Sequence, residues 1–346
     1  MRISTSRRDI SRLHQRRSTQ VIGLLAAVAW AAVPISAQSR ALGPLTSEDG
    51  APLHRTSMNA TTTSADPIDA GEVRWGVWLA YANIFEQDST RSHVLMVDME
   101  RLISTTQVRV GVRDGLEVGG RLTFETTGPG VLDGTVSWWH ERLGAGNANR
   151  ERFPEDEYDQ RLQNGDGSVV LDAPRRTLAL DDVRLFGKIR LAGSSDEGGA
   201  LTAEVTTRFP VANDPRVRER AEAGFSLLGR LSGDLWHAHA MVGGNTIRAR
   251  SKVEDEVFRR EAYHWMLGVE RTFGPELSGG IQYHVSSPVM RSFEHREVDG
   301  NSYNLTLGLL GRVGQTWRWE VSLQEDLPAD TPAADFTVGL RVSRAW

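Results

Sequence analysis

The feature that most constrains this chain is a repeated alternation of apolar and polar residues from Glu72 to the C-terminus. Segments of about ten residues follow this period of two, and each is bounded by turn residues. In one of them Leu116 and Val118 share a face while Glu117 and Arg121 occupy the other. Because successive side chains of a strand point to opposite faces, each segment is predicted to be a strand with one apolar and one charged face.

The last segment, Phe336 to Trp346, places Val338, Leu340 and Val342 on one face and ends on an aromatic residue. This pattern is typical of the closing strand of a transmembrane β-barrel. Arg344 falls on the apolar face, where it can snorkel to the interface at modest cost.

Short and long connections alternate along the segments, as in barrels with short periplasmic turns and long external loops. If residues 93–112 form one strand, six long loops and five short turns join twelve strands. That strand requires a bulge near Ile103 to Thr106, because its apolar residues change phase there. Fourteen strands remain possible if two lie within the long loop 126–181.

The chain has no cysteine and no apolar segment long enough for a membrane-spanning helix, so a disulfide framework and a thiolate metal site are excluded. Its mean hydropathy is negative, which keeps a periplasmic or secreted all-β protein as the alternative. The loop asymmetry favours the transmembrane antiparallel up-and-down barrel.

The N-terminus divides into two further parts. Several arginines precede an apolar run and small residues, which predicts a signal peptide over residues 1–37 with cleavage near Ala37. Residues 38–70, rich in Ser, Thr, Pro and Ala without a period, are predicted to be a flexible periplasmic segment. The barrel domain then spans residues 71–346.

Aromatic residues are predicted at strand ends, where barrels carry girdles at both membrane interfaces. The girdle set is Trp75, Trp236, Trp265, Trp317, Trp319 and Trp346.

The charged face is predicted to line the lumen. Its members are Glu100, Arg109, Arg121, Arg184, Lys188, Arg208, Glu222, Arg230, Arg312, Glu320 and Arg341. Two interpretations stay open: cross-strand ion pairs that fill the interior, or a slightly basic constriction that favours small anionic or zwitterionic solutes.

Four histidines, His237, His239, His264 and His284, are predicted to face inward, where imidazoles could approach one another. His284 and Ser286 also resemble the base and nucleophile of outer-membrane phospholipases and lipid A deacylases. However, the pair faces the lumen instead of the lipid, and Ser287-Pro288 replaces the Asn and Gly of the phospholipase motif.

The long loop 126–181 is predicted to contain a short amphipathic helix that plugs or covers the barrel mouth. The residues assigned to this plug or lid are Asp133, Trp138, Trp139, His140 and Arg150.

The order of five short motifs resembles an uncharacterised family of proteobacterial outer-membrane proteins. They are Ala82-Asn83-Ile84-Phe85, Val97-Asp98-Met99-Glu100, Leu132-Asp133-Gly134, Trp139-His140 and Arg150. The resemblance implies a barrel in the outer membrane of a Gram-negative bacterium and no established activity.

We therefore expect a narrow, porin-like pore or facilitator for small polar solutes, with a lipid hydrolase or a partner-docking barrel as alternatives. The expected partners are outer-membrane lipid, the barrel assembly machinery and a small polar solute. No catalytic residue, metal, cofactor or nucleic acid is predicted.

Overall fold

The computed structural model describes residues 41–90, 92–143, 150–172, 174–194, 198–210, 221–246, 258–291, 299–327 and 332–346. The predicted signal peptide lies outside them. The strands are β1 Val73–Ser89, β2 His93–Arg113, β3 Leu116–Gly128, β4 Asp159–Asn164, β5 Val169–Asp172, β6 Ala179–Gly193, β7 Gly199–Pro210, β8 Glu222–Ser232, β9 Trp236–Thr246, β10 Glu261–Gly274, β11 Leu277–Ser286, β12 Ser302–Val313, β13 Trp317–Asp326 and β14 Phe336–Ala345. The helices are α1 Asp133–Leu143 and two 3₁₀ turns, His54–Thr56 and Arg150–Arg152. Among the described helices, none combines the length and apolarity that a membrane crossing requires.

The sheet closes on itself as an antiparallel barrel of twelve strands. Its strands pair in the order of the chain, except that β3 pairs with β6, and β1 closes the barrel by pairing with both β2 and β14. The predicted all-β barrel and its strand count are confirmed. One end of the barrel carries the short turns, such as residues 113–116 and 274–277, and the other carries the long connections.

The remaining two strands, β4 and β5, lie within the long loop. β4 pairs with β2 over residues 93–98, beyond the point where β2 leaves β3. Two strands therefore do lie in this loop, but they extend β2 at the long-loop end and leave the closed barrel at twelve.

The two faces of the wall differ in polarity as the alternation predicts. Leu185 and Val205 on the outer face are 53% and 55% exposed, while Arg184 and Glu204 on the inner face are buried. Trp265, Tyr283 and Tyr303 contact one another in a row on the outer face. The barrel thus presents apolar residues outward and encloses a charged lumen.

The predicted bulge in β2 is wrong. The β1–β2 register runs without a shift from Val73 opposite Val110 to Ser89 opposite Val94. Leu95, Val97 and Met99 therefore stay on the inner face. Apolar residues are suitable there because the interior at this end is filled by other parts of the chain instead of water.

Candidate functional site: a charged lumen filled by residues 41 to 70

The lumen contains residues 41–70 of the chain itself, which we call the plug. The plug rises from the short-turn end to the 3₁₀ turn His54–Thr56 and then descends to β1. Its two arms run antiparallel and meet at a bridge between Glu48 and Thr61. The amide N–H of Thr62 also donates to the carbonyl of Ser47 at 2.9 Å. The predicted flexible periplasmic segment is therefore corrected: over its described residues it is an ordered hairpin inside the barrel.

Four glutamates of the wall hold backbone N–H groups of the plug. Glu270 accepts from Leu42 and Gly43 at 2.8 and 3.1 Å, and Glu320 accepts from Thr46 at 2.6 Å. Glu222 and Glu117 accept from Met58 and Ile68 in the same way, at 2.5 and 3.0 Å. These carboxylates satisfy donors that a hairpin without a sheet neighbour would leave unpaired.

Cations of the wall hold the plug's carbonyl groups. Arg101 donates to Gly50, Arg184 to Asn59 and Lys188 to Ser64, at 2.7, 2.8 and 3.1 Å. Carboxylates of the wall thus accept from the N–H groups of the plug backbone, and cations of the wall donate to its carbonyl groups. Such contacts need no apolar surface, which explains why the plug sequence has no hydrophobic period.

Buried ion pairs add to this contact. Arg55 of the plug pairs with Asp181 of β6 at 2.6 Å, and Arg184 pairs with Glu48 of the plug at 2.7 Å. Removing one partner of a buried pair typically costs about 3–5 kcal/mol, because the other charge is left unpaired.

Within the plug, Asp49 and His54 form a contact of 2.7 Å between carboxylate and imidazole. Burial of Asp49 opposes its ionisation, but the charge and hydrogen bond of His54 and the N–H of Ala51 outweigh it. The pKa of Asp49 is therefore lowered. The turn at the top of the plug is held in shape by an ionised carboxylate.

Apolar packing occurs at both ends of the plug, since Ala65 on the descending arm packs against Leu228 and Met241 of the wall. Leu53 belongs to a buried cluster with Ile84, Leu95 and Leu162 at the long-loop end. At the other end, the chain leaves the lumen over Gly111, whose N–H donates to the Glu72 carbonyl at 2.9 Å. A Cβ on Gly111 would lie 2.0 Å from the carbonyl oxygen of the departing chain, so only glycine fits this crossing.

The space left between plug and wall is small. Two pockets in the middle of the lumen, both lined by Arg121 and Arg184, measure about 30 Å³ each. Such a pocket has room for a water molecule but not for an organic solute. A larger cavity of about 260 Å³ opens at the short-turn end. At the two positions lined by Arg121 and Arg184, the plug leaves no room for an organic solute to pass.

Most residues predicted to line the lumen do face it. Those that contact the plug are Arg184, Lys188, Glu222, Arg230, Glu320 and Arg341. The others pair within the wall: Arg109 with Glu117, Arg208 with Asp182, Arg121 with the Phe186 ring and Arg312 with the Pro275 carbonyl.

Glu100 is the exception, because it lies on the outer face of β2. It accepts hydrogen bonds from the hydroxyl of Tyr81, the amide of Asn83 and the N–H of Leu132. The long loop covers this carboxylate from outside, so its burial comes from the loop and not from the lumen. The prediction failed because β2 keeps one phase over its whole length.

The long loop is not the plug or lid that the sequence suggests. Asp133 binds Asn83, and Arg150 bridges Asp98 and Asp133, all against the outer face of β1 and β2. Trp139 contacts Phe336 edge to face and His140 binds Glu325 at 2.8 Å, while Trp138 stays exposed. The motifs that resemble the uncharacterised family therefore converge on one cluster that fixes α1 to the outer wall.

The inward histidines do not form a recognisable site. His239 binds Glu270 at 3.0 Å, and the rings of His264 and His284 are 6.5 Å apart. Within the described ranges, no group of three or more His, Cys, Asp or Glu side chains is arranged to hold a metal ion. His284 is fully buried, and neither of its ring nitrogens has a hydrogen bond to a described residue. With Ser286 also turned inward, nothing supports lipid hydrolysis by this pair.

The plug is the functional element that sequence reasoning missed. The charges of the wall gave no signal of it, because Glu117, Glu222 and Glu320 each have a cation directly opposite on one neighbouring strand: Lys188, Arg208 and Arg341.

Comparison with protein families matches residues 20–346 to the model of a family described as a protein of unknown function, DUF3187. Among solved structures, the chain is similar to the COG4313 outer membrane channel from Pseudomonas putida F1. The identity is 11% and the TM-score 0.52, over 82% of this chain and 99% of that chain. It is also similar to the NanC porin, with 8% identity and a TM-score of 0.43 over 80% and 99% of the two chains. A search of curated protein sequences finds no match.

Proposed function

The chain belongs to the DUF3187 family of outer-membrane-type barrels, and we propose that it is an outer-membrane channel for small polar solutes, closed here by the plug. The family assignment confirms the resemblance seen in the sequence. A fold shared with an outer membrane channel supports the same proposal.

The observation that carries the proposal is the chemistry of the plug interface. The wall holds the plug through many hydrogen bonds and ion pairs, and apolar packing adds to them at Leu53 near its tip and at Ala65 on its descending arm. Water can replace polar contacts of this kind when the plug leaves, at a net cost of roughly 1.5–3 kcal/mol for each hydrogen bond to a charged group. Displacing the plug would expose a charged, hydrated path that suits polar solutes.

Planar bilayer recordings test the proposal on the whole protein and on a variant lacking residues 41–68. We expect rare openings from the intact protein and frequent stepwise conductance from the deletion variant. Heat-modifiable migration on a denaturing gel, after outer-membrane fractionation, checks that both are folded barrels in that membrane. A folded deletion variant that is silent at several salt concentrations would contradict a channel and favour a docking barrel.

A further inference from the structure

The cavity of about 260 Å³ at the short-turn end is lined by both the plug and the wall. Its volume lies just below the range of pockets that hold drug-sized ligands, which suits a small solute. Its lining contains four carboxylates, Asp66, Asp69, Glu72 and Glu320, and six arginines, Arg74, Arg109, Arg230, Arg312, Arg318 and Arg341.

Three of these arginines are matched by carboxylates. Arg74 pairs with Glu72, Arg109 with Glu117 and Arg230 with Asp66. The remaining three form no ion pair with a described carboxylate, although Arg341 lies directly opposite Glu320 on β13.

Arg312 donates to the carbonyl of Pro275 at 2.8 Å, and Arg341 donates to the hydroxyl of Thr46 at 2.9 Å. Both partners are neutral. Arg318 has neither a hydrogen bond nor an ion pair to any described residue, although its side chain lines the cavity. The nearby carboxylate of Glu320 is already engaged by Thr46 through both of its oxygens.

The strand register brings these three cations together. Arg312 on β12 lies directly opposite Arg318 on β13. Arg318 lies opposite Ser343 on β14, two residues from Arg341 on the same face. Directly opposite like charges destabilise a sheet, so this arrangement costs free energy while the cavity holds no anion. A guanidinium offers a planar fork of donors that matches the oxygens of carboxylates and phosphates.

We infer that this cavity is a binding site for a small oxyanion, a carboxylate or phosphate group, with Arg318 at its centre and Arg312 and Arg341 beside it. The inference deepens the proposed function by naming the solute class at the short-turn mouth of the channel. Binding itself does not require the plug to move, because the cavity exists in the closed conformation.

Isothermal titration calorimetry of the full-length protein in detergent, at low chloride, tests this with inorganic phosphate and with succinate. We expect saturable binding of at least one of them, weakened at least tenfold by Arg318→Gln. This variant removes no contact of the described structure, so the barrel should fold normally. Arg344→Gln is the matched control, because it also removes one arginine charge, but from the outer face of β14. This variant should bind the anions as tightly as the wild type does.

The site is rejected if the Arg318→Gln variant binds the anions as tightly as the wild type. It is also rejected if Arg318→Gln and Arg344→Gln lose the same amount of affinity, or if the wild type binds neither anion. Bilayer recordings on the same preparations separate this failure from failure of the channel. If the deletion variant conducts but the wild type binds no anion, the binding site alone is rejected. If the wild type binds an anion but the deletion variant does not conduct, the channel alone is rejected.

Discussion

The contact between Glu320 and Thr46 offers the sharpest test of how the plug is held. Both carboxylate oxygens of Glu320 are used by Thr46, at 2.6 Å from its N–H and 3.0 Å from its hydroxyl. The side chain of Glu320 is 3% exposed, so water does not compete for it. Glu320→Gln preserves the shape but makes the acceptor neutral.

A hydrogen bond to a charged group contributes roughly 1.5–3 kcal/mol, so we expect Glu320→Gln to weaken plug retention by about 2 kcal/mol. That corresponds to about a 30-fold rise in the ratio of open to closed channels. Single-channel open probability in planar bilayers measures this ratio directly.

Thr46→Val removes the hydroxyl partner and completes a double-mutant cycle. The effect of Glu320→Gln should be smaller in this background, because one of the two contacts is already missing. Glu276→Gln is the control, since Glu276 is exposed in a short turn. If channels of the Glu320→Gln variant open no more often than those of Glu276→Gln, while the deletion variant conducts, the contact with Thr46 does not hold the plug.

Three further outcomes are expected. In Gly50→Cys/Ala334→Cys the two Cβ atoms would lie about 2.9 Å apart, so after a small shift an oxidised pair should lock the plug and abolish openings until a reductant is added. Arg150→Met leaves two buried carboxylates of the outer cluster unpaired and should loosen α1 by about 3–5 kcal/mol, measured as faster amide hydrogen exchange in that helix. Gly311→Ala places a Cβ 2.1 Å from the Trp319 ring on the neighbouring strand, and should lower the temperature of barrel unfolding on heat-modifiability gels.

Each of these outcomes has a matched comparison. Either cysteine alone should leave conductance insensitive to oxidant, because the chain has no other cysteine. Arg152→Met changes an exposed neighbour in the same 3₁₀ turn and should leave the exchange of α1 unchanged. Gly128→Ala adds a methyl group where no atom lies within 4 Å, and a drop in unfolding temperature equal to that of Gly311→Ala would contradict the steric account.

The alternation of strand residues was sufficient to predict the barrel, its twelve strands and the inward direction of Arg184 and Glu320. It could succeed because a lipid-facing wall forces a strict period of two. It failed for Glu100, because β2 continues without the predicted bulge and the long loop covers its outer face. The plug was unpredictable for a different reason: its contacts are made by backbone groups and by single polar side chains such as Glu48 and Arg55, which leave no periodic pattern in residues 41–70.

The plug is joined to β1 through only Gly71 and Glu72. If it leaves the lumen, this tether keeps it at the mouth of the barrel, where its effective concentration would be in the millimolar range. Reclosure is then unimolecular, with a rate independent of the amount of protein, and a free peptide of the same sequence would compete only above millimolar levels. A long-lived open state would require a second binding site that holds the released hairpin outside the lumen.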